Sequence, residues 1–350
     1  EMKTDISKFF RASLLKLNPY KSAREEYLSE GRDMILIDAN ENPFQSSTNR
    51  YPDPLQGELK QKISKWKNVN PNQLYLSNGS DEFITQIIMA CCEPGRDEIM
   101  IVPPTFGMYK VSAQILGVGI IEVPLKPGFK LNTKAIIDSA KENTKLIFIP
   151  TPNNPTANNF DPIEIKKIIK SFNGIVVIDE AYIEFSNHES FTKLLEYYPN
   201  LAVCQTFSKA QGMAGARLGM AFANSDLINY LNKFKAPYNL NSLTINAALK
   251  RINEQVLVKN QVKIILRERK KLEISLRKIK FVESVFPSDA NFILIRVDNS
   301  LKRYKQLLDY GIVVRNSSKN IFCENTLRIT VGLKDENEKL LFVMRKMENL

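Results

Sequence analysis

The sequence predicts an α/β fold, a parallel sheet buried on both faces, joined to a second and smaller α+β unit. Three apolar runs in mid-chain carry the first half of that prediction: Leu146-Ile147-Phe148-Ile149, Ile175-Val176-Val177-Ile178 and Leu201-Ala202-Val203-Cys204. Each is continuously apolar rather than alternating, as strands covered on both faces are, and helix-like stretches separate them. After about residue 250 the texture changes to a long basic helix followed by strand-like segments. The chain has 350 residues, and single cores stop growing near ~250–300 residues. Two units are therefore expected: residues 46–248 as the large one and 249–350 as the small one, with 1–45 as an N-terminal arm joining the small one.

Taken in order, the first twenty residues hold Phe9, Phe10, Leu14 and Leu15, but Lys8, Arg11 and Lys16 interrupt them and no small-residue cleavage site follows. A signal peptide is not expected. The apolar Met34-Ile35-Leu36-Ile37, leading into Asn40-Glu41-Asn42-Pro43, is expected to return beside the smaller unit. Leu74-Tyr75-Leu76 reads as a short strand, Ser77-Asn78-Gly79-Ser80 as a turn and residues 81–92 as a helix, whose start is a natural phosphate site. The three mid-chain runs end in residues capable of chemistry: Pro152-Asn153-Asn154-Pro155, Asp179-Glu180-Ala181-Tyr182 and Thr206-Phe207-Ser208-Lys209. Ligands of parallel sheets bind beyond the carboxyl ends of the strands, so Asn154, Asp179 and Lys209 should share one crevice. In the last hundred residues, Ile265, Leu266, Leu272, Leu276 and Ile279 recur at helical spacing. Strands are expected at Asn291-Phe292-Ile293-Leu294-Ile295, Gly311-Ile312-Val313-Val314-Arg315 and Leu327-Arg328-Ile329-Thr330-Val331.

Composition narrows the function classes. With 43% hydrophobic and 25% charged residues the chain is an ordinary folded protein. No run approaches the ~20 apolar residues of a membrane span, and a cytoplasmic enzyme is expected. Cys91, Cys92, Cys204 and Cys323 lack metal-ligand spacing, so no metal is expected, and free thiols suit a reducing compartment. A net charge of +11 invites nucleic-acid binding. The basic stretch over residues 259–280 reads instead as an amphipathic helix with a solvated face, and the same charge draws phosphorylated or dicarboxylate substrates into a cleft.

His188 is the only histidine and sits in a polar loop, which leaves little for a His triad or a multi-His metal site. Lysine chemistry is the better candidate. Lys209 follows Ser208 at a strand end, and Gly212, Gly215 and Gly219 frame Arg217 where backbone can approach a ligand. Alone, Lys209 would read as an exposed loop residue. Asp179 changes that weighing: a carboxylate ending an apolar strand is expensive to desolvate unless it meets a cation, and the pyridinium N–H of pyridoxal phosphate supplies one. The alternative is an Asp capping the next helix. Tyr182 and Asn154 suit the ring's phenolic oxygen. Ser208, with Thr206 beside it, Arg217 and the helix start at Gly79-Ser80-Asp81 suit the phosphate, Asp81 through its backbone or a capping role because its carboxylate repels a dianion. Phe106 is either a ring-stacking residue or plain core.

So assembled, the chain resembles the fold-type-I pyridoxal-phosphate-dependent aminotransferases, and within them the branch acting on histidinol phosphate. The resemblance runs over nearly the whole length. It rests on Leu17-Asn18-Pro19-Tyr20, Asn40-Glu41-Asn42-Pro43, Arg50-Tyr51-Pro52-Asp53, Gly79-Ser80-Asp81-Glu82 and Pro103-Pro104-Thr105-Phe106-Gly107-Met108-Tyr109. It continues through Asn153-Asn154-Pro155-Thr156, Asp179-Glu180-Ala181-Tyr182, Ser208-Lys209-Ala210, Ala214-Gly215-Ala216-Arg217-Leu218-Gly219 and Leu327-Arg328-Ile329-Thr330-Val331-Gly332. It implies a mostly parallel seven-stranded sheet between helices, Lys209 as covalent lysine and proton shuttle, Asp179 on the ring nitrogen, and Asn154 and Tyr182 on the phenolic oxygen. Arg328 is implied as the clamp on the amino acid's carboxylate, with Tyr20, Asn40, Arg315 and Tyr51 receiving the substrate. Tyr51, implied at the cofactor as well as at the substrate, would come from the other subunit of a homodimer. Two departures stand out: Ala157 where the family often has Gly, which leaves the local turn open, and Phe106 where it often has Tyr.

The implied reaction moves an amino group between glutamate or 2-oxoglutarate and imidazole-acetol phosphate or histidinol phosphate, in histidine biosynthesis. An aromatic-amino-acid aminotransferase shares every cofactor residue, and a decarboxylase of a phosphorylated amino acid uses the same fold. A basic nucleic-acid-binding protein is the non-enzyme alternative, marked by steep salt dependence.

Overall fold

The structure, a computed structural model, describes residues 5–20, 22, 24 and 34–349; the other positions of the arm expected over 1–45 lie outside the described residues. Seven strands form the larger sheet: β1 Leu74–Ser77, β2 Glu98–Ile101, β3 Gly119–Glu122, β4 Thr144–Pro150, β5 Ile175–Asp179, β6 Leu201–Thr206 and β7 Gly219–Ala223. Their order is β1-β7-β6-β5-β4-β2-β3. Only β7 runs antiparallel to its neighbours, so the sheet is mostly parallel, as expected.

The continuous apolar runs follow from burial on both faces. Along β4, β5 and β6 successive residues alternate between two clusters: Ile147, Ile149, Val176, Ile178 and Val203 pack on one side, and Leu146, Phe148, Ile175, Val177 and Ala202 on the other. Each such side chain contributes about 1.5–3 kcal/mol by leaving water, which fixes the strands and hence where their carboxyl ends emerge. The covering helices carry matching stripes. Pro162–Ser171 starts from an Asp161 cap with proline in its first turn and buries Ile165, Ile168 and Ile169. Gly79–Cys91 buries Phe83, Ile84, Ile87 and Ile88. It begins two residues before the expected start because Gly79, at φ +72, turns the chain directly out of β1.

A second, antiparallel sheet has the order β10-β11-β9-β8, with β8 Val282–Val285, β9 Phe292–Val297, β10 Arg315–Asn316 and β11 Thr326–Thr330. The basic stretch forms one helix, Gln255–Leu276, that buries Val258, Val262, Leu272 and Leu276. The strand expected over 311–315 shrinks to its last residue. Gly311, at φ +73, ends the preceding helix and Val313 faces solvent, so 311–314 runs as a connection. The sequence reading sends the arm to this smaller unit, whereas Ile6, Phe9 and Phe10 are buried against the helices of the large sheet. Farther along, Ile35 and Ile37 are exposed, and Arg24 and Arg50 grip Glu41 at 2.6 and 2.7 Å. Among the described residues no helix is long and apolar enough to cross a membrane, and no acidic, His or Cys group is placed to hold a metal.

Two contacts brace the carboxyl-end rim. Gly219 of β7 lies against the start of the 79–91 helix so closely that a Cβ there would sit 2.4 Å from the Gly79 carbonyl carbon. Glu180, fully buried, accepts from Phe191 N at 2.6 Å, Ser190 Oγ at 2.6 Å and Gln205 Nε2 at 2.8 Å, tying the loop after β5 to β6. Gly219→Ala should lower stability by about 1–3 kcal/mol in urea titration, while Gly215→Ala, with open space at its Cβ, should be close to neutral. Burial raises the Glu180 carboxyl from 4.5 to about 7. The folded state thus holds this proton more tightly than the unfolded one. Its contribution is complete below the unfolded value and is lost as pH rises through about 7. Unfolding free energy measured from pH 4 to 8 should therefore fall across that window, and Glu180→Gln should flatten the fall.

Candidate active site

The carboxyl ends of β4, β5 and β6 open into a cleft of about 620 Å³. Its walls bring together Ser80, Asp81, Phe106, Asn154, Asp179, Tyr182, Thr206, Ser208, Lys209, Arg217, Arg315 and Arg328, all of which the sequence singles out. Asp179 ends β5 and is buried. Its Oδ2 accepts the Tyr109 hydroxyl at 2.7 Å and its Oδ1 the Ala181 N–H at 3.1 Å. Burial pushes the Asp179 carboxyl up, and these two hydrogen bonds pull it back toward the ionised form. Tyr109 is wholly buried, its ring stacked on Phe148 at 4.8 Å and edge-on to Phe106 at 5.5 Å. Burial, then the Asp179 charge, drives the Tyr109 hydroxyl far above its ordinary value, so it stays a donor.

Lys209 reaches the cleft and is open to solvent there, with Nζ 5.6 Å from the centroid of the Tyr182 ring. Partial desolvation by the cleft walls, then the charge on Arg328, lowers its pKa and favours the free amine. Tyr182 packs edge-on to Phe292 at 5.1 Å, and burial raises its phenol to about 12, which leaves it protonated and able to donate. Arg328 donates through Nη1 to Asn154 Oδ1, leaving the Asn154 amide N–H groups as donors toward the cleft. On β10, Arg315 stands directly across the ladder from Arg328 on β11. Like charges opposite one another in a sheet repel unless an anion comes between them.

At the other end of the cleft lies a cradle for a phosphate. Asn78 spends its side chain on Asn239 O and does not cap the 79–91 helix, so the first helical amides remain to bind an anion. Arg217, at φ +55, lies across that helix start. It donates to Ser208 Oγ at 3.3 Å and meets Asp81 Oδ2 at 3.4 Å, and a Cβ on Gly79 would fall 2.6 Å from its Nη2. Asp81 thus anchors Arg217, which gives its carboxylate a place compatible with a bound dianion. Thr206 accepts from Ser208 N at 3.1 Å and sets the turn that presents Ser208 and Lys209. Thr105, also in the wall, keeps its Oγ1 buried with no partner among the described residues. A pyridoxal phosphate fits this donor set: amides, hydroxyl and guanidinium for its phosphate, a buried carboxylate for its ring nitrogen, and a lysine for its aldehyde.

Tyr20, Asn40 and Tyr51 are exposed and do not line this cleft. Tyr51 stacks on Tyr238 at 4.4 Å and borders a separate cavity with Arg50, Asp53 and Ser242. His188 is exposed. The turn left open at Ala157 is kept, with that residue at φ +66 and its N–H bonded to Asn153 O at 2.8 Å, a left-handed conformation that costs an alanine about 1–2 kcal/mol. Phe106 is partly buried at the cleft wall. Sequence reasoning gave no role to Tyr109, and the only signal for it was its place at the end of the segment that also holds Phe106. It likewise missed Ser317 and Asn320, which reach the wall from the loop after β10.

The sequence profile described as aminotransferase class I and II matches residues 26–342. A histidinol-phosphate aminotransferase of Flavobacterium psychrophilum is 47% identical over 343 residues, covering 98% of this chain and 99% of the relative. Among solved structures, the histidinol-phosphate aminotransferase of Clostridium acetobutylicum superposes with a TM-score of 0.80 at 25% identity, over 86% of this chain and 91% of that one. The L-threonine-O-3-phosphate decarboxylase of Porphyromonas gingivalis superposes with a TM-score of 0.74 at 23% identity, over 86% and 91%, a likeness of fold alone. With a family profile spanning most of its length and a full-length relative at nearly half identity, the chain belongs to the class I and II aminotransferase family.

Proposed function

We propose that the chain is a pyridoxal-phosphate-dependent transaminase exchanging an amino group between L-glutamate or 2-oxoglutarate and histidinol phosphate or imidazole-acetol phosphate, a step of histidine biosynthesis. The observation that carries the substrate reading is the pair Arg315 and Arg328, opposed on β10 and β11 at the mouth of the cleft that holds Lys209 and Asp179. Two guanidiniums held together suit an anion, and their planar forks accept a carboxylate or a phosphate alike. One pocket can then take glutamate in one half-reaction and a phosphorylated amine in the other. The full-length relative named as a histidinol-phosphate aminotransferase supports this choice.

Bound in the cleft, the cofactor supplies an aldehyde that carries the amino group and a ring that withdraws negative charge from the substrate carbon. The protein's residues do the rest. Lys209, its pKa lowered by partial burial and then by the charge on Arg328, takes the proton from the substrate Cα and returns it at the other end of the transfer. Asp179 faces the ring nitrogen, Asn154 and Tyr182 donate to the phenolic oxygen, and Phe106 covers the ring. Ser208, Arg217 and the Gly79-Ser80-Asp81 amides hold the phosphate. Arg328 clamps the amino acid's carboxylate, and Arg315 receives the second carboxylate or the substrate phosphate. Tyr20, Asn40 and Tyr51 complete the substrate pocket, with Tyr51 entering the site of the partner subunit in a homodimer. Residues 46–248 thus hold the cofactor and 249–350 contribute both arginines, while four buried free cysteines suit the cytoplasm.

Lys209→Ala should abolish formation of glutamate from histidinol phosphate and 2-oxoglutarate, with pyridoxal phosphate still retained on a desalting column; retained turnover contradicts the mechanism. Arg328→Ala should weaken glutamate about 10- to 100-fold in KM, the loss of a charged hydrogen-bond pair, and leave cofactor retention unchanged. Release of carbon dioxide without a keto acid would place the chain among the decarboxylases instead.

A further inference from the structure

We propose that Tyr109 is a positioning residue whose hydroxyl keeps Asp179 ionised and aimed, and so decides whether the cofactor's ring nitrogen carries a proton. This inference rests on the cofactor reading above. Its first support is geometric. Asp179 is buried, and among the described residues its carboxylate has two donors, one per oxygen: the Tyr109 hydroxyl at 2.7 Å on Oδ2 and the Ala181 N–H at 3.1 Å on Oδ1. The Ala181 bond belongs to the chain's own turn and survives any side-chain change. The Tyr109 bond is the one that a substitution can remove, and it would leave Oδ2 buried with no protein donor.

The second support is how firmly the hydroxyl is held. Tyr109 sits in the first turn of the helix Met108–Ile115, its ring stacked on Phe148 of β4 at 4.8 Å with 15° between planes and set edge-on to Phe106 at 5.5 Å. The ring cannot swing away without opening the core. Phe106 and Tyr109 both border the cleft, and the buried Tyr109 contacts both the ring-covering side chain and the ring-nitrogen partner. The charged and titratable groups that face Asp179 include Lys209, which favours its ionised form, Asp81, which disfavours it, and the Tyr182 phenol and Cys204 thiol, which its charge pushes up; Tyr182 and Cys204 also lie close enough to act on Tyr109. Against burial, Tyr109, Ala181 and Lys209 work to keep the charge, and Lys209 is committed to the amino group during turnover. Burial also holds Tyr109 protonated, so its donation does not lapse as pH rises.

Tyr109→Phe removes one oxygen and keeps both ring contacts. A hydrogen bond to a buried carboxylate is worth about 1.5–3 kcal/mol, or about one to two pH units of carboxyl titration. The full-length protein is loaded with pyridoxal phosphate labelled with ¹⁵N in the ring, and the ring-nitrogen shift is followed by NMR from pH 6 to 9. The wild type is expected to hold a protonated nitrogen throughout, and Tyr109→Phe to show a ring nitrogen shifted toward the neutral pyridine position across the whole range, its proton having passed to the Asp179 carboxylate. Phe148→Leu, which loosens the packing but leaves the hydroxyl, serves as the packing control and should titrate like the wild type. An unchanged ring-nitrogen titration in folded, loaded Tyr109→Phe would overturn the proposal, as would an equal shift in Phe148→Leu. Failure of the wild type to take up the labelled cofactor would instead sink the cofactor reading.

Discussion

Asp179 ends a strand whose every residue is buried, and a carboxylate in that position is tolerated only where donors and a cation meet it. Much of the site follows from meeting that condition. The apolar run of β5 places the carboxyl at the rim of the sheet, Tyr109 and Ala181 occupy its two oxygens, and the space in front of it is the cleft that Lys209 enters from the end of β6. A ring with a protonated nitrogen answers the same charge. Glu180, the next residue, points back into the protein and ties the following loop to β6, so adjacent carboxyls serve chemistry and architecture from opposite sides of one strand end.

A second unresolved charge complements the first. Arg315 and Arg328 oppose each other on a short antiparallel ladder with Asn154 Oδ1 as a neutral acceptor for one of them. The two-residue β10 holds them in register at the edge of the smaller sheet. The larger sheet thus places Lys209 and Asp179 in the cleft and the smaller sheet places the two arginines at its mouth, each shaped by its own hydrophobic core. Between them, Ala157, Ala290 and Phe292 pack with Tyr182 at the seam.

The strands that matter most were legible because burial on both faces leaves an unmistakable apolar run, and each run ended in the residue that the cleft now displays. Asn154, Asp179 and Lys209 could be brought together from topology alone, with Ser208 and Arg217 joining them through their fitness for a phosphate. Tyr109 could not, since its partner is seventy positions away and a buried tyrosine in an apolar helix reads as core. The strand over 311–315 misled because a run of β-branched residues has the same composition whether it pairs or merely connects, and the glycine that ends the preceding helix decided between them. The arm was harder still: Met34-Ile35-Leu36-Ile37 looks like a strand in search of a sheet, yet Ile35 and Ile37 face outward here. Tyr20, Asn40 and Tyr51, which only the family resemblance singled out, are exposed and stand outside the cleft.

The most direct test is the visible spectrum of the protein loaded with pyridoxal phosphate, followed after one equivalent of L-histidinol phosphate is added with no keto acid present. The account predicts loss of the cofactor's long-wavelength band within a single turnover, far faster than with phenylalanine or tyrosine, and its return when 2-oxoglutarate is supplied. A band untouched by histidinol phosphate but consumed by aromatic amino acids would contradict it.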